Sequence, residues 1–336
     1  MHRPSTDPTP RLTAPGNRPT RRAVLIPTLG GRWLDRCLEA VAALDPPADR
    51  VVVVLSGSAP APAVPAGVEL LRLRDRAGFA AAINAGLATA RDDATEIALL
   101  NDDATPEPGW LGALGEALTD HPGVAAAKGT VTDAEGVLID GRGLTLDRWG
   151  LPVQVDHGGP LEPTAEGTGA ESTRARPVLP RLGVSGTAAL LRVAALEEVR
   201  LACGQVLDES LGSYHEDLDL ALRLRRCGWE AAWVAGARCR HLGSATARRL
   251  RWRHPWWLLA NRWQVLAANL TGPALGRALP RLVRGELRAV RTLARTNPRS
   301  LAVAPAVLLA LPLLLARGWA RRSTGARLAR LPEAGA

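Results

Sequence analysis

The sequence predicts an α/β fold: a mostly parallel, Rossmann-like sheet flanked by helices, with a helical extension at its C-terminal end. Three observations lead there. Short apolar runs at 23–27, 51–55 and 96–100 alternate with segments of helical periodicity, and each run ends in small or polar residues. Beyond residue 246 the composition shifts to Arg, Trp and Leu. The chain has 336 residues, 46% of them hydrophobic and 22% charged, with a mean hydropathy near zero. These figures argue against whole-chain disorder and against a polytopic membrane protein, and the length accommodates a large α/β domain with an appendage.

Residues 1–22 are rich in Pro, Thr and Arg, without periodicity or an apolar signal-like core, so they read as a disordered leader on a protein that stays cytoplasmic. Ala23 to Pro27 forms a buried strand closed by Thr28-Leu29-Gly30-Gly31. Trp33, Leu34, Cys37, Leu38 and Val41 then recur at helical spacing up to Asp45-Pro46-Pro47. Val51 to Leu55 is a second strand ending in Ser56-Gly57-Ser58, and Val68 to Leu73 a third. A helix through Ala80 to Ala90 leads to a fourth strand, Glu96 to Leu100. Strand and helix alternating at this interval predict right-handed crossovers and ligand chemistry at the carboxyl ends of the strands.

The Gly- and Pro-rich stretch 136–180 lacks periodicity and predicts surface hairpins and a mobile loop. Order returns at Gly183 to Leu191, followed by a helix near Val193 to Arg200. Tyr214-His215-Glu216-Asp217 opens a further helix, which Gly228 ends. Glu230 to Val234 is read as the last strand before Cys239-Arg240-His241. The catalytic body is expected over 23–246 and the Arg/Trp-rich helical region over 247–336.

Lys and Arg total 42 against 33 acidic residues, and Lys128 is the only lysine, so the net charge of +9 is almost wholly arginine. Coding bias accounts for much of that, which leaves the clustering of the arginines as the informative feature. The four cysteines, Cys37, Cys203, Cys227 and Cys239, show no paired spacing. They read as reduced residues rather than a zinc ribbon or disulfide framework.

The fourth strand runs straight into Asn101-Asp102-Asp103. Carboxylate oxygens at the crevice of a parallel sheet suit a hard cation, Mg²⁺ or Mn²⁺, shared with substrate phosphates. The alternative for this tripeptide is an Asx-turn capping the next helix.

Taken in order, strand-Pro27-Thr28, strand-Ser56-Gly57-Ser58, Ala77-Gly78-Phe79-Ala80, Leu100-Asn101-Asp102-Asp103 and Tyr214-x-Glu216-Asp217 resemble the inverting family 2 glycosyltransferases of the GT-A fold. The likeness extends from about Ala23 to Arg262. Pro106-x-Pro108-Gly109-Trp110-Leu111 and Asp219-Leu220-x-x-Arg223-Leu224 are most similar to rhamnosyltransferase-like and galactofuranosyltransferase-like members. The resemblance implies a nucleotide-sugar donor lying against Pro27, Thr28, Ser56, Gly78, Asn101, Asp102, Ser185 and Gly186. It implies a metal held by Asp103 and His241, the latter otherwise a structural histidine. It also implies that Asp217, beside Glu216, takes the proton of the attacking acceptor hydroxyl, a role compatible with helix capping. Asn84 and Gly86 match as loop-supporting residues.

Two positions depart from the family pattern. Asn101 replaces a first carboxylate, and Leu55-Ser56 stands where the family places a base-binding Asp. Asp75 is the substitute candidate, its alternative being an exposed turn charge.

In the tail, Arg277, Arg281, Arg284, Arg288, Arg291 and Arg295 recur at three and four and stack along one helix side, with Pro280 bending or beginning that helix. Leu301 to Ala316 is an uncharged apolar run of 16 residues. As a helix it spans roughly 24 Å, short of a hydrocarbon thickness of about 30 Å, so it predicts an interfacial anchor on the cytoplasmic leaflet rather than a span. A solvated basic face and a buried helix pair are the alternatives. Trp252, Trp256, Trp257 and Trp263 suit a membrane boundary, an acceptor sugar or lipid, or core packing. No recognisable nucleic-acid-binding module accompanies these residues.

The expected activity is metal-dependent inverting transfer of a sugar, rhamnose first, to a hydroxyl of a cell-envelope glycan or lipid-linked acceptor. The alternatives are a sugar-1-phosphate nucleotidyltransferase, whose Gly-rich triphosphate signature Gly30-Gly31-Arg32 is too short to supply, and an inactive GT-A-fold membrane scaffold.

Overall fold

The structure is a computed structural model and describes residues 19–75, 77–161, 177–243, 252–321 and 323–332. The expected leader up to residue 18, the expected mobile loop over 162–176 and residues 244–251 lie outside the described residues.

Strand β1 (Arg22–Thr28) is followed by α1 (Leu34–Ala42), β2 (Arg50–Ser56), β3 (Val68–Leu73), α2 (Phe79–Ala90) and β4 (Glu96–Leu100). The expectation of a parallel unit holds here: β1 lies between β2 and β4, β3 pairs with β2, and all three pairings are parallel. Helix α1 buries the predicted face of Leu34, Cys37, Leu38 and Val41. In α2, Gly86 lets the helix sit close on the sheet, because a Cβ there would stand 3.2 Å from both Leu25 and Val54.

The next elements are β5 (Ala104–Pro106), α3 (Trp110–Asp120), β6 (Val124–Thr132), β7 (Ile139–Gly141), and the hairpin of β8 (Leu144–Leu146) with β9 (Pro152–Gln154). The stretch expected to carry hairpins therefore does so. Strand β10 (Pro177–Arg181) precedes β11 (Ala188–Arg192), α4 (Val193–Glu198), α5 (Glu216–Arg226) and β12 (Glu230–His241). The spatial order is β10-β12-β6-β11-β4-β1-β2-β3. Strand β11 runs antiparallel to β4 and β6, so the sheet is mixed beyond β4.

The last strand corrects the sequence expectation. It does not stop at Val234 but continues to His241 through a register shift between Trp233 and Arg238, pairing with β6 again at Arg238–Arg240 and with β5 at Cys239–His241. The local pattern hides this because Gly236 interrupts the apolar run. A Cβ on Gly129 would stand 1.9 Å from the Ala237 carbonyl oxygen, so the shift requires glycine in the facing strand.

The tail forms α6 (Arg253–Asn269), α7 (Gly272–Thr296) and α8 (Ser300–Ala320). Helix α7 starts at a Thr271 side-chain cap, and Pro280 lies inside it. Helix α8 corrects the expected 16-residue apolar segment: it has 21 residues and runs on through Pro305 and Pro312, about 31 Å long. By length and composition alone it could cross a membrane. One face packs on α6, where a Cβ on Gly318 would stand 2.4 Å from the Gln264 carbonyl oxygen. Leu259, Trp263 and Leu266 of α6, Leu282 of α7 and Val303, Val307 and Leu314 of α8 share one apolar core with Leu218, Ala221 and Leu222 of α5. Trp263 is thus a core residue, whereas Trp252 is half exposed.

Gly129→Ala should destabilise the fold by about 3 kcal/mol, since neither backbone can recede from an added methyl group. Urea unfolding of the variant beside the parent measures this, and equal midpoints would show that β12 tolerates a different register.

Candidate active site

At the end of β1, Thr28 is buried; its Oγ1 donates to Asp102 Oδ2 at 2.5 Å and accepts from the Gly30 amide at 3.0 Å. Burial pushes the Asp102 carboxyl up, and the Thr28 hydrogen bond opposes it. Asn101 donates its amide to the Thr187 carbonyl at 2.9 Å, joining the end of β4 to the segment before β11. Pro27, the residue before Thr28, lies in register with Val54 of β2. At the end of β2, the Ser56 hydroxyl donates to the Ala77 carbonyl and accepts from the Ala77 amide, at 3.0 and 2.7 Å. Ser56 therefore holds the loop that enters α2.

The tightest neighbours of two site glycines are protein atoms. A Cβ on Gly78 would stand 2.3 Å from the Gly212 carbonyl oxygen, and one on Gly186 would stand 2.7 Å from the Phe79 ring. Both positions demand glycine for packing, whatever else approaches their backbone. Asn84 spans from α2 to the segment before α5: its side chain donates to the Leu207 carbonyl and accepts from the Val206 and Leu207 amides. That is the loop-supporting place expected of it. Asp75 is exposed, and no described contact joins it to the carboxylates at β4.

Antiparallel pairing of β5 with β12 sets His241 opposite Ala104. His241 Nε2 lies 3.1 Å from Asp103 Oδ1, and its Nδ1 lies 3.0 Å from Asp140 Oδ2. Burial opposes charge on this imidazole, yet the hydrogen bonds and charges of Asp103 and Asp140 outweigh it and hold the pKa up at about 9. Sequence reasoning missed Asp140, whose only signal lay in a stretch without periodicity.

This donor set fits a divalent cation. A carboxylate oxygen faces an imidazole nitrogen, and a second carboxylate orients the ring through its other nitrogen, as around metal-bound histidines. Among the described residues no three His, Cys, Asp or Glu side chains gather as a metal cage. Asp103 and His241 are the residues that could hold such an ion, with further positions open to ligand oxygens, as suits Mg²⁺ or Mn²⁺ on a phosphate.

The second cluster stands at the start of α5. Tyr214 and His215 both adopt left-handed backbone conformations, with φ of 69° and 71°. Such conformations cost on the order of 1–3 kcal/mol each for a non-glycine residue. Helix α6 over-determines them: the Asn261 side chain donates to the carbonyls of Leu211, Ser213 and Tyr214, and His215 Nε2 pairs with the Leu258 carbonyl at 3.0 Å. Burial pushes the His215 pKa down to about 4, so the ring is neutral.

Glu216 and Asp217 follow in the first helical turn. Burial and the charge of Asp217 raise Glu216 to about 8, and its Oε2 has no hydrogen-bond partner among the described residues. Burial also raises Asp217, against the Leu218 amide, 2.8 Å from its Oδ1, and the charge of Lys128. The expected helix-capping role does not fall to Asp217: His215 is the residue at the helix boundary, no side chain caps the helix there, and Asp217 accepts only from the amide of the next residue.

Lys128 lies on β6, in register with Trp233 of β12. It is 1% exposed on β6, donates from Nζ to Ser185 Oγ at 2.7 Å, and feels the charges of Asp140, Cys239 and Asp217. Asp140 on the Asp103–His241 side and Asp217 on α5 thus lie within electrostatic reach of one ammonium group. In the sequence this lysine stands out only as the single one among 42 basic residues.

The sheet order and the helices flanking the sheet define a GT-A-type fold. Residues 23–200, more than half of the chain, match the glycosyl transferase family 2 model, and the chain belongs to that family. Among solved structures, GalNAc-T7 with UDP, GalNAc and Mn²⁺ is similar at 14% identity and a TM-score of 0.52. That match covers 75% of this chain and 48% of the other, so the chain spans about half the length of that protein. The mannosyltransferase PcManGT from Pyrobaculum calidifontis, with GDP-Man and Mn²⁺, matches at 18% identity and a TM-score of 0.47, over 92% of this chain and 86% of its own. No curated protein sequence matches the chain.

Behind the site, fully buried Asp219 is held by Arg223, Arg321 and Asn269, and despite burial their charges and hydrogen bonds bring it down to about 2. The folded value lies below the ordinary 3.8, so the stabilisation is full above about pH 4 and is lost as pH falls toward 2. Urea unfolding at pH 5 and at pH 2.5 should show Asp219→Asn losing about 2 kcal/mol less than the parent. Parallel losses in the two proteins would remove Asp219 from acid stability.

Proposed function

We propose that the protein is an inverting, divalent-metal-dependent glycosyltransferase that moves a sugar from a nucleotide-diphosphate donor to a hydroxyl of a cell-envelope glycan or lipid-linked acceptor. The observation that supports this reading is the contact of His241 with Asp103 at 3.1 Å and with Asp140 at 3.0 Å, at the mouth of the strand that leads into Asn101-Asp102-Asp103. The motif segments at 106–111 and 219–224 support rhamnose as the first donor to test, and buried Leu55 leaves base recognition to other residues.

Asp103 and His241 would hold the ion, and Asp140 would orient the imidazole. When bound, the ion supplies positive charge against the negative charge of the departing nucleotide diphosphate. Asp217 receives the acceptor hydroxyl proton on its carboxylate as the hydroxyl oxygen attacks the anomeric carbon. Attack from the face opposite the nucleotide inverts the configuration there. Burial and the neighbouring charge of Asp217 raise Glu216, which favours its protonated form beside Asp217. Thr28, Ser56 and Ser185 hold the loops and carboxylates around the donor.

The acceptor reading draws on the tail. Leu279, Val283 and Leu287 of α7 and Leu301, Leu308, Leu309 and Leu313 of α8 are exposed, with Leu309 at 85%. The arginines of α7 stand on the same helix as the first three. An apolar ledge with basic flanks suits peripheral docking on the anionic cytoplasmic leaflet of the cell membrane, where a lipid-linked acceptor resides.

With a panel of nucleotide sugars, Mn²⁺ and a membrane extract, one donor should give metal-dependent release of nucleotide diphosphate. Pyrophosphate release would instead identify a nucleotidyltransferase. Asp217→Asn should lower kcat by about 10² to 10⁴ and keep donor affinity; undiminished turnover would remove Asp217 as the base.

In flotation assays the protein should rise with phosphatidylglycerol vesicles and remain behind with phosphatidylcholine vesicles. Leu308→Glu combined with Leu309→Glu should abolish flotation, and unchanged flotation would reject the ledge as the docking face.

A further inference from the structure

Asn261 of α6 is 5% exposed and adjoins the apolar core that Leu259, Trp263 and Leu266 share with α5. A buried amide is costly unless it is hydrogen-bonded, and a leucine would fill such a place at less cost. Its Nδ2 donates to the carbonyl of Leu211 at 2.7 Å and to those of Ser213 and Tyr214 at 3.0 Å each. The group has two N–H bonds, so three carbonyls converge on it and one hydrogen is shared. Packing alone needs no such convergence.

Those carbonyls belong to the turn that opens α5. Gly212, Tyr214 and His215 have φ of 72°, 69° and 71°, and only the first is a residue that adopts such angles freely. No side chain caps α5 at His215. The turn is held from α6 instead: the Leu258 carbonyl meets His215 Nε2 at 3.0 Å, Asn261 takes the three carbonyls, and Gln264 donates to Ser210 Oγ at 3.1 Å. Successive members of this set are three residues apart, so each neighbours the next on the helix surface. Asp217 needs that support. Among the described residues its carboxylate accepts one hydrogen bond, from the Leu218 amide, and joins no ion pair, so the backbone entering α5 sets where it points.

We propose that Asn261 is a positioning residue for the transfer reaction: its amide, by gathering the carbonyls of Leu211, Ser213 and Tyr214, fixes the left-handed turn that aims Asp217 at the acceptor. The role rests on the reading of Asp217 as the base. Without the amide, three carbonyls lose a partner and two non-glycine residues keep an unfavourable φ with less to hold them, so the turn relaxes. A base displaced by about an ångström loses much of its effect, since the proton it takes must lie within hydrogen-bond reach. The site is thus completed from outside the catalytic body. Residues 23–246 contain Asp103, Asp217 and His241 but not the group that orients the base.

In the full chain, Asn261→Leu fills the same space and donates nothing. With the donor that turns over in the nucleotide-sugar panel, it should lower kcat by roughly tenfold or more and leave donor KM within about twofold. Backbone amides of residues 212–220 should exchange with solvent roughly tenfold faster or more, while those of β1 to β4 keep the parent rates. His215→Gly removes the cost of one positive φ. The kcat loss caused by Asn261→Leu should therefore be about threefold smaller, or less still, in the His215→Gly background than in the parent. A general loss of stability would not depend on that one backbone angle.

Parental kcat in Asn261→Leu, or unchanged exchange at 212–220, overturns the proposal even where Asp217→Asn is inactive and the base assignment stands. Equal losses in the two backgrounds overturn it as well, because the turn is then not the route. Full turnover by Asp217→Asn removes the base, and with it this role of Asn261, whatever the exchange shows. If Asn261→Leu does not fold, Asn261→Ser, which keeps one hydroxyl donor, should show the same effects in smaller degree, and parental kcat and exchange in that variant overturn the proposal.

Discussion

The site depends on one strand, β12, that pairs with β10, β6 and β5. Strand β12 lies along β6 on one side and, after its register shift, against β5 on the other. The first pairing continues the sheet. The second brings His241 to Asp103, which are distant in sequence and separated by half the catalytic body. The shift is possible because Gly129 has no side chain facing the Ala237 carbonyl. Take that closeness away and the histidine leaves the carboxylate that gives it meaning.

The other half of the site is held from behind. Helix α5 begins in two left-handed residues, an unfavourable start that no local propensity explains. Asn261 and the Leu258 carbonyl of α6 hold that turn, while Arg321, after α8, reaches Asp208 and Asp219. Arg226, the last residue of α5, bonds to Ser323 and to the Gly325 and Ala326 carbonyls. The tail is therefore both an apolar ledge on its outer side and the brace of the acidic helix on its inner side. Contact at the ledge and geometry at Asp217 are joined through a single packed core.

Much of this was legible in the residues. The unit from β1 to β4 follows from apolar runs and helical periodicity, since strands buried on both faces need continuous apolar sequence. Motif order, through resemblance, led to Asp103, Asp217 and His241. Other features were out of reach. Asp140 sits in a Gly-rich stretch whose short strands are fixed by pairing with β6 rather than by their own pattern. The length of β12 was hidden because a bulged strand loses its alternation where it bends. Helix α8 outran the expected apolar run because its last turn takes in Arg317 and Gly318, the latter packed against α6.

Lys128 marks the boundary between the two kinds of information. Sequence alone determined that there is one lysine, that acidic residues close one strand and open one helix, and that an apolar run follows an arginine stripe. Only tertiary structure decided that the lysine is buried beside Ser185, within electrostatic reach of carboxylates from two distant segments. The reason is physical: periodicity and composition record how each segment faces water, whereas the energy of a charge depends on which other charges the fold places around it.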